Sequence, residues 1–481
     1  GPGVGLPGAA VGAVGGVFRV GRGWASLLRD RARAPAPGQL RLGSDERGRA
    51  VWLTPGQLAA HGLIVGASGA GKSTTLLRIL GEQIARGRPV VAIDLKGSSQ
   101  FARALEAQAR AAGRPFALWT PDGPSHWNAL AHGNPTELKD KLVATERFTE
   151  PHYQRAAERY VQIALQVLQS SGTESSLAGV VALMEPRRLA ATARRLGGAE
   201  ADRVHDYLTG LTSDQLSAVR GLGTRLALLS EGTAGPFLMS GPGGVDLRRA
   251  LEGPEVVLFS LNSSRYGHLA AQLGTLAIQD LVSACGHRLE DAAGTEYPLA
   301  IVAVDEFSAL RSDQLLALLA RGREAGVSGL LATQELSDLE RAARGFRDQV
   351  LGLTALKIVH RQDVPGSAQT IAEMAGTERV WEDTHQLRGM FGPAGASRGT
   401  RREVDRFIVH PNEIKTLPTG QAVMLTKIPA ARVHRVGITP PAPTTPPGPT
   451  RPPAPVRSTR AGVTSRQAGG RDDQPEPGVT R

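Results

Sequence analysis

Residues Gly66–Thr74 read G-A-S-G-A-G-K-S-T. Gly66, Gly71, Lys72 and Ser73 occupy the fixed positions of the pattern G-x-x-x-x-G-K-[ST]. Leu63-Ile64-Val65 precedes it, an apolar run suited to a buried strand. Leu76, Leu77, Leu80 and Ile84 follow at helical spacing within Ser73–Arg86. A strand that turns through glycines into a helix is the setting this loop's chemistry requires. The glycines let main-chain N–H groups close around phosphate oxygens, and the helix N-terminus adds partial positive charge there. Gly66, Ser68, Gly69, Ala70, Gly71, Lys72, Ser73 and Thr74 are therefore the candidate nucleotide-binding residues. Lys72 can reach the β- and γ-phosphates, and the Ser73 hydroxyl can ligate Mg2+. The plain alternative is a Gly-rich turn before an ordinary helix. Gly is common in this chain but Lys is scarce, which favours the functional reading.

Outward from the loop, strand and helix patterns alternate. A small strand is predicted at Val51–Leu53, where the core begins. Pro89–Asp94 is the next buried strand, then a helix from Ser98 to Ala112 and a strand at Phe116–Trp119. The alternation predicts an α/β fold, a mainly parallel sheet flanked by helices. The pattern breaks at Pro121–Asn128. From about Pro135 to Ser240 only helical periodicity is found, clearest at Tyr153–Leu168, which implies an inserted all-α domain. Strands resume at Glu255–Leu261, Leu299–Val304, Ser328–Ala332, Ala355–Val359 and Gln421–Thr426, with a long helix over Tyr266–Leu289.

The expected organisation has five parts. Residues 1–50 are a leader or truncated membrane anchor and linker. Residues 51–130 and 251–438 are the two halves of the nucleotide-binding domain. Residues 131–250 are the helical insert, and residues 439–481 form a disordered Pro-rich tail with too few large apolar residues to fold alone.

The 481 residues carry a formal net charge of +11. Residues 1–50 hold eight Arg against three acids, and residues 439–481 hold six Arg against three, so the core keeps only +3. Basic charge is thus only mild support for a nucleic-acid or anionic-membrane partner. The single cysteine, Cys285, excludes an internal disulfide and reads as a small core residue. His126, His132 and His152 do not share metal-ligand spacing.

Asp305-Glu306 closes an apolar run of six residues. In a phosphate-loop fold, an acid at such a strand end holds Mg2+, and an adjacent Glu can activate the attacking water. Ser73 and Asp305 are therefore the candidate Mg2+ ligands, with Glu306 as general base. Gln334 closes the next strand and is placed to sense the γ-phosphate. Hydrolysis in this class draws on an added arginine, for which Arg321, Arg323 and Arg361 are candidates. No N-K-x-D sequence occurs, which argues against a typical GTPase. The long gap between the loop and Asp305 argues against a small phosphate-loop kinase.

Four stretches together resemble coupling proteins of conjugative and type IV secretion systems, the TraD/TraG type within the HerA–FtsK superfamily. They are G-A-S-G-A-G-K-S-T, Ile93–Gly97 (I-D-L-K-G), Val304–Phe307 (V-D-E-F) and Ala320–Gln334 (A-R-G-R-E-A-G-V-S-G-L-L-A-T-Q). Lys357–Arg361 (K-I-V-H-R) and Gly420–Val423 (G-Q-A-V) also fit, and the helical insert is similar in position to that family's all-α domain. The resemblance spans roughly Val51 to Gly437. It implies a RecA-like ATPase using ATP and Mg2+, assembled as a homo-hexamer at the cytoplasmic face of the inner membrane. It also implies DNA bound to its relaxase as cargo and a secretion channel as partner. It maps the arginine acting in trans onto Arg323. A full N-terminal anchor, which the family leads one to expect, is not seen in the sequence. Two other readings are a chromosome-segregation or DNA-processing pump of the same superfamily, and a nucleotide-gated receptor that recruits protein cargo without moving DNA.

Overall fold

The computed structural model describes residues 36–291, 297–385 and 399–442. The expected leader and tail fall largely outside them. The strands are β1 (Leu40–Ser44), β2 (Ala50–Leu53), β3 (Gly62–Val65), β4 (Val90–Asp94), β5 (Phe116–Trp119), β6 (Val256–Ser260) and β7 (Ala300–Asp305). They continue with β8 (Val327–Thr333), β9 (Leu356–Val359), β10 (Thr377–His385), β11 (Gly399–Phe407), β12 (Gln421–Thr426) and β13 (Arg432–Ile438). Eleven of them form one sheet in the order β2-β1-β13-β12-β9-β3-β8-β7-β4-β6-β5.

The run from β9 to β5 is parallel throughout. These strands are apolar on both faces because helices cover both. Leu63 and Val65 of β3 and Val91 and Ile93 of β4 point into one layer. Ile64, Val90 and Ala92 point into the other, against the helices Lys72–Ala85 and Ser99–Ala111.

The other four strands are antiparallel. Leu40–Ser44 and Arg432–Ile438 are strands that the sequence reading did not predict, the first of them within the expected leader. Both are short and alternate only weakly, so their signal is carried by pairing. A side chain at Gly43 would stand 1.9 Å from the Gly437 carbonyl oxygen, so this close approach of β1 and β13 depends on glycine. The two-stranded ribbon β10–β11 was likewise unpredicted; its strands are rich in charge rather than apolar alternation.

Between Pro135 and Glu231 every element is a helix: Pro135–Val143, Pro151–Ser170, Leu177–Leu183, Pro186–Leu196, Gly198–Thr209 and Ser213–Glu231. On the way into this insert, the chain packs aromatic side chains against the sheet. Trp119 and Trp127 lie 5.5 and 4.9 Å from the Phe259 ring of β6.

Candidate nucleotide-binding site

Strand β3 delivers the chain to the loop, and the helix Lys72–Ala85 carries it away. Gly69 (φ +74°) and Gly71 (φ +116°) make the turn in a region that side chains disfavour. The loop is held from behind. Ala67 N–H donates to the Arg361 carbonyl at 2.9 Å, and Ala70 N–H donates to the Ala67 carbonyl at 3.0 Å. From the side, Gly420 N–H donates to the Ala70 carbonyl (2.9 Å), and the Thr419 hydroxyl donates to the Gly69 carbonyl (3.2 Å). Ser68, Gly69 and Ser73 are exposed. The first-turn amides of the following helix have no carbonyl of their own helix to bond, so they are free to meet an anion.

The sheet register brings the second half of the site opposite. Asp305 ends β7, and Glu306 follows in the left-handed region (φ +57°), a costly backbone for a residue with a side chain. That turn aims its carboxylate at the loop. Lys72 Nζ lies 2.6 Å from Glu306 Oε1 and 3.4 Å from Asp305 Oδ1. Gln334, just past β8, donates from Nε2 to the same Glu306 oxygen at 3.0 Å. The Gln362 amide in turn donates to the Gln334 carbonyl at 2.9 Å. Lys72, Asp305, Glu306 and Gln334 thus meet at one point.

Asp305 is buried, and its carboxyl is pushed above the usual range by that burial, with the Glu306 carboxylate adding to it and Lys72 opposing it. Asp94, its register neighbour on β4, is also pushed up, first by burial and then by the Asp305 charge. Asp94 serves the next loop, accepting from the Lys96 N–H (2.9 Å) and the Ser98 N–H (2.7 Å). Lys72 pairs with one of these two neighbouring buried carboxylates, Asp305, so the site gains from a hard cation. The donor set, with an ammonium, open amides, the Ser73 hydroxyl and a carboxylate, fits a phosphate chain carrying Mg2+. Among the described residues, no cluster of three or more His, Cys, Asp or Glu could hold an ion unaided.

The three candidate arginines separate. Arg361 lies beside the loop, its guanidinium 3.0 Å from Asp363. Arg321 and Arg323 are exposed and precede β8, at the opposite end of the parallel strands from Lys72. Cys285 is fully buried, and its thiol is pushed up to about 11 by burial. His132 bonds Asp246 at 2.8 Å, and His152 lies 4.0 Å from Glu150. The sequence reading missed the sites of His360, Thr419 and Gly420, which pack the loop from two sides. Their only signal was membership of the stretches K-I-V-H-R and G-Q-A-V, or adjacency to them.

Two family models match the chain: the helicase HerA-like C-terminal family over residues 39–117, and the TraM recognition site of TraD and TraG over residues 300–419. The bacterial conjugative coupling protein TrwBdeltaN70, in an unbound form, superposes with a TM-score of 0.62 at 15% identity, over 87% of this chain and 92% of that one.

The chain resembles the TraD/TraG-type coupling proteins of the HerA–FtsK superfamily.

TrwB in complex with ADP and Mg2+ gives a TM-score of 0.60 at 16% identity, over 86% and 92% of the two chains. VirB4 of Thermoanaerobacter pseudethanolicus gives 0.56 at 13%, over 84% and 97%. At these identities the likeness is one of fold, the RecA-like fold of a phosphate-loop ATPase. No curated protein matches the sequence. In this TraD/TraG-like chain, the two matched segments fall on either side of the helical insert. The first contains the phosphate loop, and the second contains Asp305, Glu306 and Gln334. No helix among the described residues is long and apolar enough to cross a membrane.

Proposed function

We propose that the chain is an ATP-driven coupling protein that delivers relaxase-bound DNA to a conjugative or type IV secretion channel. The reading is carried by the convergence of Lys72, Asp305, Glu306 and Gln334 on one point beside the loop. Bound ATP and Mg2+ would supply the phosphoryl group to be transferred and neutralise its charge. Ser73 and Asp305 would hold the cation. Lys72, drawn to phosphate, would release the Glu306 carboxylate. That carboxylate then takes a proton from the attacking water, while Gln334 keeps it oriented. Gln334 also ties the site to Gln362 and so to the segment after β9.

A homo-hexameric ring at the cytoplasmic face of the inner membrane belongs to this proposal. Arg323 supports it. With β7 and β8 between them, it lies more than about 15 Å from Lys72 of its own chain. From there it would serve a nucleotide on a neighbouring copy. DNA as cargo is supported by the helix Pro186–Leu196 of the insert. Arg187, Arg188, Arg194 and Arg195 are exposed there, with no acidic residue in the helix.

The test is Mg2+-dependent ATP hydrolysis by the purified chain, with and without DNA, beside Lys72→Ala and Glu306→Gln. We expect DNA to stimulate hydrolysis and each substitution to lower it by about a hundredfold or more. Hydrolysis indifferent to DNA would replace this reading with that of a nucleotide-gated receptor for protein cargo. Hydrolysis unchanged in both variants would remove the site itself.

A further inference from the structure

His360 follows β9 and is fully buried. It touches the phosphate loop at three places. A side chain added at Gly66 would stand 2.9 Å from His360 Cβ, and one at Gly71 would stand 3.3 Å from His360 Cε1. The third place is a hydrogen bond, 2.8 Å between His360 Nε2 and the hydroxyl of Thr75 in the first turn of the following helix. The other ring nitrogen, Nδ1, lies 2.9 Å from the Gln421 carbonyl oxygen of β12.

We propose that His360 is a positioning residue that fixes the phosphate loop and the rotation of the first helical turn, and so presents Lys72 and Ser73 to nucleotide.

The hydrogen-bond roles follow from chemistry. A carbonyl oxygen can only accept, so Nδ1 carries the proton. Burial, with the Lys72 charge adding to it, pushes the ring's pKa down to about 4, so the ring is neutral at pH 7. Nε2 then holds a lone pair and must accept the Thr75 hydroxyl proton. Among the described residues, the other acceptor of that hydroxyl is the Gly71 carbonyl at 3.3 Å, the back-bond a helical Thr makes by default. His360 offers a shorter alternative at 2.8 Å and turns Thr75 toward the sheet. One chain of bonds then runs from β12 through the ring to the helix. The main chain completes the grip, since His360 N–H donates to the Val65 carbonyl at 2.8 Å, just before the loop. The loop therefore rests on a floor supplied by the antiparallel side of the sheet. This inference rests on the nucleotide-binding part of the reading above and on no step of hydrolysis or DNA transport.

The test measures affinity for a fluorescent, Mg2+-bound ATP analogue and the KM and kcat of ATP hydrolysis in the full chain. Thr75→Val removes the hydroxyl and keeps its shape. His360→Asn keeps a donor near Gln421 and loses contact with Thr75. We expect each to weaken the analogue and raise KM by about five- to tenfold, with kcat within about twofold. The double variant should be no weaker than the worse single one, because both break one bond. Unchanged affinity in Thr75→Val, or effects that multiply, would overturn the proposal. If His360→Asn fails to fold, Thr75→Val decides alone. A wild-type chain that does not bind the analogue would defeat both this inference and the nucleotide reading. Binding by wild type with indifferent variants would defeat only the inference.

Discussion

Lys357 is an amine in the core. It lies on β9 with one fixed acceptor, the Thr354 carbonyl, and the Lys427 ammonium nearby. Burial first, and Lys427 second, push its pKa down to about 8 from 10.5. Between those values the unfolded chain holds a proton that the folded chain has released. Stability therefore rises with pH across that window, and the cost of the residue is present in full below pH 8. The shift corresponds to roughly 3 kcal/mol. Lys357→Met keeps the stem and discards the charge. Urea denaturation should show the variant more stable than wild type at pH 7 by on the order of 1–3 kcal/mol, with the gap closing toward pH 10.5. A gap that is absent at pH 7, or that widens with pH, would show that Lys357 is charged and satisfied in the fold. Residues of this kind were illegible in the sequence. A lysine in K-I-V-H-R looks like any other, whereas Lys72 is legible because its neighbours fix its role.

Single elements were read with uneven success, for a physical reason. The parallel strands, apolar on both faces, announce themselves as runs such as L-A-I-V-A-V. The antiparallel strands β1 and β13 need partners to be recognised, and the β10–β11 ribbon has charge where a strand pattern would show apolar alternation. The seam between insert and sheet was also invisible. It holds a buried ion pair from residues far apart in sequence. Lys141, in the insert's first helix, donates to Asp280 on the helix His268–Asp291 at 2.8 Å, and to the Ala129 and His132 carbonyls at 3.0 Å each. Trp127 Nε1 donates to the other Asp280 oxygen at 3.0 Å. Every donor of the ammonium is used, so the pair is satisfied although it is out of water. Asp280→Asn leaves the ammonium without its counter-charge and should cost about 3–5 kcal/mol in denaturant unfolding. The double change Lys141→Met with Asp280→Leu should cost less than Asp280→Asn alone, since no orphaned charge remains. If the double change costs the sum of both single changes, the network's worth lies in its geometry and not in its charge balance.

At the scale of the molecule, charge is distributed unevenly, and the bulk figure of +11 hides this. A composition rich in arginine scatters it at random, yet the helix Pro186–Leu196 gathers four arginines and no acid. Its apolar residues Leu189 and Ala193 are buried against the insert, which leaves the arginines facing solvent. None of the four lies within ion-pair distance of a described carboxylate. Arg187 and Arg194, like Arg188 and Arg195, are seven residues apart, so they repeat on one side at about 10 Å. The helix has no aromatic residue to stack on a base. Such a surface would hold a phosphate backbone through charge alone and without regard to sequence. If the proposed DNA cargo crosses this face, replacing all four arginines by alanine should lower the dependence of log Kd on log salt by up to about 3 for single-stranded DNA. Affinity should fall equally for unrelated sequences, because no base contact is lost. Alanine favours helix, so thermal unfolding should stay near that of wild type. A salt slope unchanged in a folded variant that still binds DNA would move the track elsewhere on the molecule. A loss confined to one DNA sequence would mean that the helix reads bases, which a row of arginines on a helix without aromatic residues gives no reason to expect.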